Sequence, residues 1–267
     1  MNALKWSLLF GITLSLTVGC SQPKSTDDGD KKKEVASNDN HGDAPHWSYE
    51  GKTGPEHWGS LDPAWAAAKD GKEQSPIDIA DATAIALEPI EFHYESTRVN
   101  IINNGHTIQV NCDPGSYIEV DGETYQLAQF HFHAPSEHTI DGEPAAIEMH
   151  LVHKSAAGEL AVVGVMIQPG EANAAFDPAW KHLPKEAGAE QKHEDRMTLA
   201  DLLPAEQTYY TYPGSLTTPP CSEGVKWLVM TTPIAMSAEQ IAAYTDIYSG
   251  NNRPIQPLNE RVIEKTE

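Results

Sequence analysis

The sequence predicts a mainly β chain of the α+β class: a single domain on a largely antiparallel sheet with short helices at its periphery. Three observations carry the prediction. Runs rich in β-branched and aromatic residues recur at short intervals between Arg98 and Ile167, glycine- and proline-centred turn signals separate them, and helical periodicity is clear in one late segment only.

Taken in order, residues 1–20 read as an export signal, with Lys5 as the positive end, an apolar stretch over 6–18 and Gly19-Cys20 at the cut. That stretch is short for a membrane span. A cysteine after a small residue there resembles the lipobox of bacterial lipoproteins. The resemblance implies acylation of Cys20, membrane association through it, and a location in the periplasm or at the outer cell surface. Residues 21–45 are polar, carry a charged block over 27–34 and offer nothing to bury, so they are expected to form a flexible tether ahead of a folded domain over 46–267.

Strands are expected over 98–103, 106–111, 116–120, 124–133, 145–153 and 159–167, punctuated by Gly105, Pro114-Gly115, Asp121-Gly122, Asp141-Gly142 and Gly158. Such close succession favours hairpins and antiparallel pairing. The clearest helix covers 237–248, where Ser237 and Gln240 suit a capping box ahead of Ile241, Tyr244 and Ile247. Shorter helical turns are expected around 171–181 and 198–203.

A hydrophobic fraction of 39% over 267 residues is that of a globular chain. The formal net charge of −21 excludes a nucleic-acid partner, which would need a basic face, and reads as a solvated acidic surface. Nothing in the composition sets an oligomeric state.

Residues 124–133 read TYQLAQFHFH. Strand alternation places Leu127, Gln129, His131 and His133 on one face and Phe130 and Phe132 on the other. A hairpin closed near Asp141-Gly142 would lay AIEMHLVH antiparallel to it, bringing Glu148, His150 and Val152 to the shared face. Three imidazoles with an open fourth position are a catalytic arrangement for Zn2+. Gln129 and Glu148, two residues before His131 and His150, are placed to accept the outer N–H of those ligands. His131, His133 and Glu137 also fit part of the cupin metal motif, but Tyr125 stands where its glycine belongs and no second half follows.

With these residues in view, the sequence resembles the alpha carbonic anhydrases over nearly all of the folded part. The landmarks run in order: HWGSL (57–61), QSPIDI (74–79), NNGHTIQV (103–110), QFHFH (129–133), SEHT (136–139), EMHLVH (148–153), YPGSLTTPP (212–220) and NRPIQPL (252–258). The resemblance implies a central twisted, mostly antiparallel sheet of about ten strands with zinc at the base of a conical cleft. It also implies reversible hydration of carbon dioxide to bicarbonate by zinc-bound hydroxide, carbonic anhydrase being the standard example of a metal that acidifies its water. By the same resemblance, Thr217 orients the hydroxide and donates to Glu137, Thr218 contacts bicarbonate, and Val152, Val162, Leu216, Val225 and Trp227 wall the carbon dioxide site. His106 is the implied proton shuttle, with Asn104 and Gln109 ordering the water chain.

Many exported relatives bridge a cysteine ahead of QSPI to one after TTPP. Here Cys221 is present but its partner is not, so a Cys112–Cys221 disulfide is the remaining pairing if Cys20 is acylated. Relatives that keep the fold but lose a zinc histidine act as binding modules. All three histidines, Glu137 and Thr217 are present here.

Overall fold

The computed structural model describes residues 45–267; the expected signal and all but the last residue of the expected tether lie outside them. The strands are β1 (Asp78–Ile79), β2 (Thr83–Ile85), β3 (Glu91–His93), β4 (Ser96–Asn103), β5 (Ile108–Asn111), β6 (Tyr117–Val120), β7 (Glu123–His133), β8 (Thr139–Ile140), β9 (Glu143–Pro144) and β10 (Ile147–Ser155). They continue as β11 (Leu160–Pro169), β12 (Glu190–Thr198), β13 (Tyr209–Ser215), β14 (Glu223–Met230), β15 (Ile234–Met236) and β16 (Glu264–Thr266).

One mixed sheet dominates. Its path of ten strands runs β12-β4-β5-β7-β10-β11-β14-β13-β16-β2, with β3, β6 and β15 attached beside it. All pairings along that path are antiparallel except β11 with β14 and β16 with β2.

The two faces of this sheet do different things. On one, Phe130, Phe132, Met149, Leu151, Val163 and Leu228 join the larger core cluster. On the other, Val162, Val225, Trp227 and Val229 form a smaller cluster with Ile77, Ile79 and Tyr212. Full burial of such side chains stabilises the sheet by about 1.5–3 kcal/mol each, so both faces are fixed and register cannot slip.

The expected alternation in β7 is interrupted. Between Val152 and His153 the β10 register shifts, so that Val152 faces Gln129 while His153 faces Leu127. Leu127 therefore joins the larger core beside Phe130 rather than the histidine face. The β7–β10 connection also differs from expectation: Asp141-Gly142 closes a small hairpin of β8 and β9, which pairs with β1 in a separate three-stranded sheet. The antiparallel pairing of β7 with β10 holds regardless, because both strands need the same apolar face.

Helices are short. A helix over Ala238–Thr245 has the expected capping box, with Ser237 Oγ accepting from the Gln240 N–H and Gln240 Oε1 from the Ser237 N–H. The 171–181 stretch forms one 3-10 turn and one α turn, and 198–203 a 3-10 turn. The expected Cys112–Cys221 bridge is absent: both thiols are free. Cys112 directly follows β5 and packs against the larger core, whereas Cys221 is buried in the loop after Pro220, its carbonyl accepting from Gln74 Nε2 at 3.0 Å.

Candidate metal centre

Strand register assembles the site. His131 faces His150 across the β7–β10 ladder and Gln109 across β5, while Glu148 faces His133. Opposed residues in antiparallel strands share a face, so three imidazoles converge. Their ring centroids are 4.7–5.3 Å apart. One nitrogen from each of His131, His133 and His150 lies within 4.8 Å of the others.

The outer nitrogens decide which inner ones are free. His131 Nδ1 lies 2.9 Å from Gln129 Oε1, His133 Nδ1 2.7 Å from the Asn251 carbonyl, and His150 Nε2 2.9 Å from Glu148 Oε1. A carbonyl or carboxylate oxygen can only accept, so each outer nitrogen carries the proton and the inner ones, Nε2, Nε2 and Nδ1, are bare. His133 Nε2 is buried without a hydrogen-bond partner. An orphaned buried nitrogen facing two others fits a metal ion and is otherwise a cost. Three neutral imidazoles with an open side suit catalytic zinc.

Electrostatics agree with this protonation. Burial, then the neighbouring His133 and His150, holds His131 well below the ordinary imidazole range, and burial lowers His133 to about 4 and shifts His150 downward. Burial would raise Glu148, but His138 and His150 outweigh it and hold the carboxyl well below its usual range. Glu148 also accepts from the backbone N–H groups of Glu137 and His138, at 2.9 and 2.8 Å. A Cβ at Gly164 would meet Glu148 Oε1 at 3.1 Å, so a larger residue there would crowd this carboxylate.

Glu137 Oε1 accepts from the Arg253 N–H at 2.8 Å, while Oε2 is buried with no hydrogen-bond partner. Burial raises the Glu137 carboxyl to about 7, opposed by His150, the Arg253 N–H and the neighbouring Thr217 hydroxyl. Thr217 is thus beside Glu137, though its bond to Oε2 is not closed. Thr217 and Thr218 sit in the loop after β13, which is tied down by Leu216 N–H to the Ser222 carbonyl at 3.0 Å and Cys221 N–H to the Thr218 carbonyl at 2.9 Å.

Val162, Val225 and Trp227 are buried in the smaller cluster with Val152 and Leu216 packed on it, so the expected apolar wall is one surface. Trp227 lies edge-on to His150 at 4.9 Å.

His106 lies in the β4–β5 turn, half-buried, its ring stacked on Trp47 at 3.6 Å and 6°. Burial, then His46, lowers its pKa. Asn104 Oδ1 accepts from the His106 and Thr107 N–H groups, both at 2.9 Å.

A family model described as eukaryotic-type carbonic anhydrase matches residues 53–267. The chain belongs to that family, the alpha carbonic anhydrases. Membership, with the curated relatives named carbonic anhydrase, supports carbonate dehydratase activity. The chain is 46% identical over 222 residues to a carbonic anhydrase of Pectobacterium carotovorum, covering 83% of this chain and 91% of that one. Among solved structures it resembles a hyperthermostable carbonic anhydrase from a hydrothermal vent chimney, at 49% identity and TM-score 0.81 over 83% of this chain and 100% of that chain. It also resembles the alpha carbonic anhydrase of Thermovibrio ammonificans complexed with sulfanilamide, at 45% identity and TM-score 0.80 over 82% and 99%. Membership in this family sets the cupin reading aside.

Sequence reasoning missed four residues of this carbonic anhydrase site. His138 bridges Glu148 and Tyr212, its Nδ1 2.7 Å from Glu148 Oε1 and its Nε2 2.6 Å from the Tyr212 hydroxyl. Asn251 supplies the acceptor for His133, and Arg253 the N–H for Glu137. SEHT and NRPIQPL were visible as motifs, but only tertiary folding brings His138 of the first, Arg253 of the second and Asn251 just ahead of it to the cluster.

Proposed function

We propose that the chain catalyses the reversible hydration of carbon dioxide to bicarbonate and a proton, using zinc held by His131 Nε2, His133 Nε2 and His150 Nδ1. The observation that carries this is the cluster of three bare nitrogens, each fixed by an outer acceptor. Bound there, zinc would supply a water acidified enough to act as a nucleophile near neutral pH.

The chain's own residues do the rest. Glu137, pinned by Arg253, accepts a hydrogen bond from the Thr217 hydroxyl, which leaves the Thr217 oxygen to accept from, and so orient, the attacking oxygen. Val152, Val162, Leu216, Val225 and Trp227 give carbon dioxide a dry apolar wall, and Thr218 holds the bicarbonate product. His106 then takes the surplus proton and passes it to buffer, its lowered basicity favouring release.

Stopped-flow hydration assays on zinc-loaded protein, chelator-stripped protein and His131→Ala test this. Hydration is expected in the first only and should return to stripped wild type with zinc; a folded, zinc-loaded wild type without hydration above buffer overturns it in favour of a binding module.

We further propose export and membrane anchorage through acylated Cys20, placing the enzyme in the periplasm or at the outer cell surface. This rests on residues 1–20 alone. The mature protein should gain the mass of a lipid at a new N-terminal Cys20, and Cys20→Ser should abolish membrane association. A soluble, unlipidated mature chain overturns it.

A further inference from the structure

We propose that Asn111 is a positioning residue for proton removal, fixing through Gln109 and Asn104 the turn that carries His106. The inference rests on the proposed hydration reaction and on His106 as its proton carrier.

The argument starts from two backbone donors. The N–H groups of His106 and Thr107 both point at Asn104 Oδ1, so the Asn104 amide cannot turn over without losing both bonds. Its Nδ2, which can only donate, faces Gln109 Oε1 at 3.5 Å, the outer limit of hydrogen bonding. Gln109 therefore presents its oxygen to Asn104 and its Nε2 to Asn111, whose Oδ1 accepts at 2.7 Å. Two backbone amides at one end set the polarity of three side-chain amides in a row. Asn111 Oδ1 is the terminal acceptor that holds that polarity at the other end.

The row lies where it matters for the shuttle. Gln109 faces His131 and Asn111 faces Gln129 across the β5–β7 ladder, so the amides run alongside the zinc ligands and end at the His106 turn. Asn251 Nδ2 grips the same turn from the other side, donating to the His106 carbonyl at 3.0 Å. Without the Asn111 acceptor only the 3.5 Å contact with Asn104 Nδ2 holds the Gln109 amide, which can then rotate its NH2 toward that donor. Two donors then face each other and the turn loses its grip on the Asn104 side, while the Gly105 N–H to Asn103 Oδ1 bond at 3.1 Å and the Asn251 bond remain.

Hydration and proton removal are separate steps, and kinetics separates them. kcat/KM reports the steps up to bicarbonate release, whereas kcat at saturating carbon dioxide falls when proton removal is slowed. In the zinc-loaded full chain, Asn111→Leu should lower kcat roughly fivefold, the rate equivalent of one neutral hydrogen bond, with kcat/KM unchanged. Asn111→Lys, a donor only, should do the same. Asn111→Asp keeps the acceptor and should retain wild-type kcat, and imidazole in the buffer should restore the Leu variant. The proposal is overturned if kcat and kcat/KM fall together, if the Leu and Lys variants keep wild-type kcat, or if Asp behaves as Leu. A wild type without any hydration is a distinct result that overturns the reaction itself.

Discussion

Two buried imidazoles three residues apart on β10 are put to different use. His150 turns toward the metal face, whereas His153, an odd number of positions away, lies by strand alternation on the core face with Met149 and Leu151, its Nε2 2.8 Å from the Tyr94 hydroxyl. Burial holds His153 at about 4, against an ordinary value of 6.5. The unfolded chain thus takes up this proton first as pH falls. The contribution to stability is fully present above the unfolded value and is lost between about 6.5 and 4, amounting to roughly 3 kcal/mol. His153→Gln does not titrate. Its urea midpoint should be lower than wild type at pH 7.5 but should fall less on going to pH 4.5. Parallel pH dependence in the two proteins would rule out His153 as the titrating group.

At the scale of elements, legibility followed the exposure of each strand. β7 and β10 each have one face whose chemistry differs from the other, so period 2 was readable and the His131–His150 opposition followed from it. The register shift was not readable, because Leu127 is apolar and suits a core on either side. β12 escaped notice for the opposite reason: residues 190–198 are largely exposed on both faces, and EQKHEDRMT has no apolar alternation to betray a strand. The short helix at Ala238–Thr245 was legible because its capping box is local. Asn251 was not, since it meets His133 across 118 positions, and no local pattern encodes the approach of a coil to a strand end. Strand alternation thus gives the three histidines, whereas the loop residues His106, Glu137 and Thr217 needed the family resemblance and Asn251 needed the fold.

For the whole molecule, the question is whether metal or protein builds the cluster. Each ligand is held from outside by a protein acceptor, and two of these, Glu148 and the Asn251 carbonyl, belong to networks of their own. Glu148 takes four donors, and the Asn251 side chain bonds the Ala134 N–H and the His106 and Phe132 carbonyls. Burial also keeps the three imidazoles neutral, so stripping the ion leaves no mutual repulsion at pH 7. The apo protein should therefore keep its secondary structure and unfold cooperatively. It should do so at a lower temperature, because an ion at about a thousandfold over its Kd stabilises the folded state by about 4 kcal/mol, or roughly 10 °C for a domain of this size. Circular dichroism melts with and without chelator give the answer. A cooperative apo melt shifted downward means the fold prearranges the donors; loss of the far-ultraviolet signal or a broad melt on chelation would mean that the metal organises this part of the sheet.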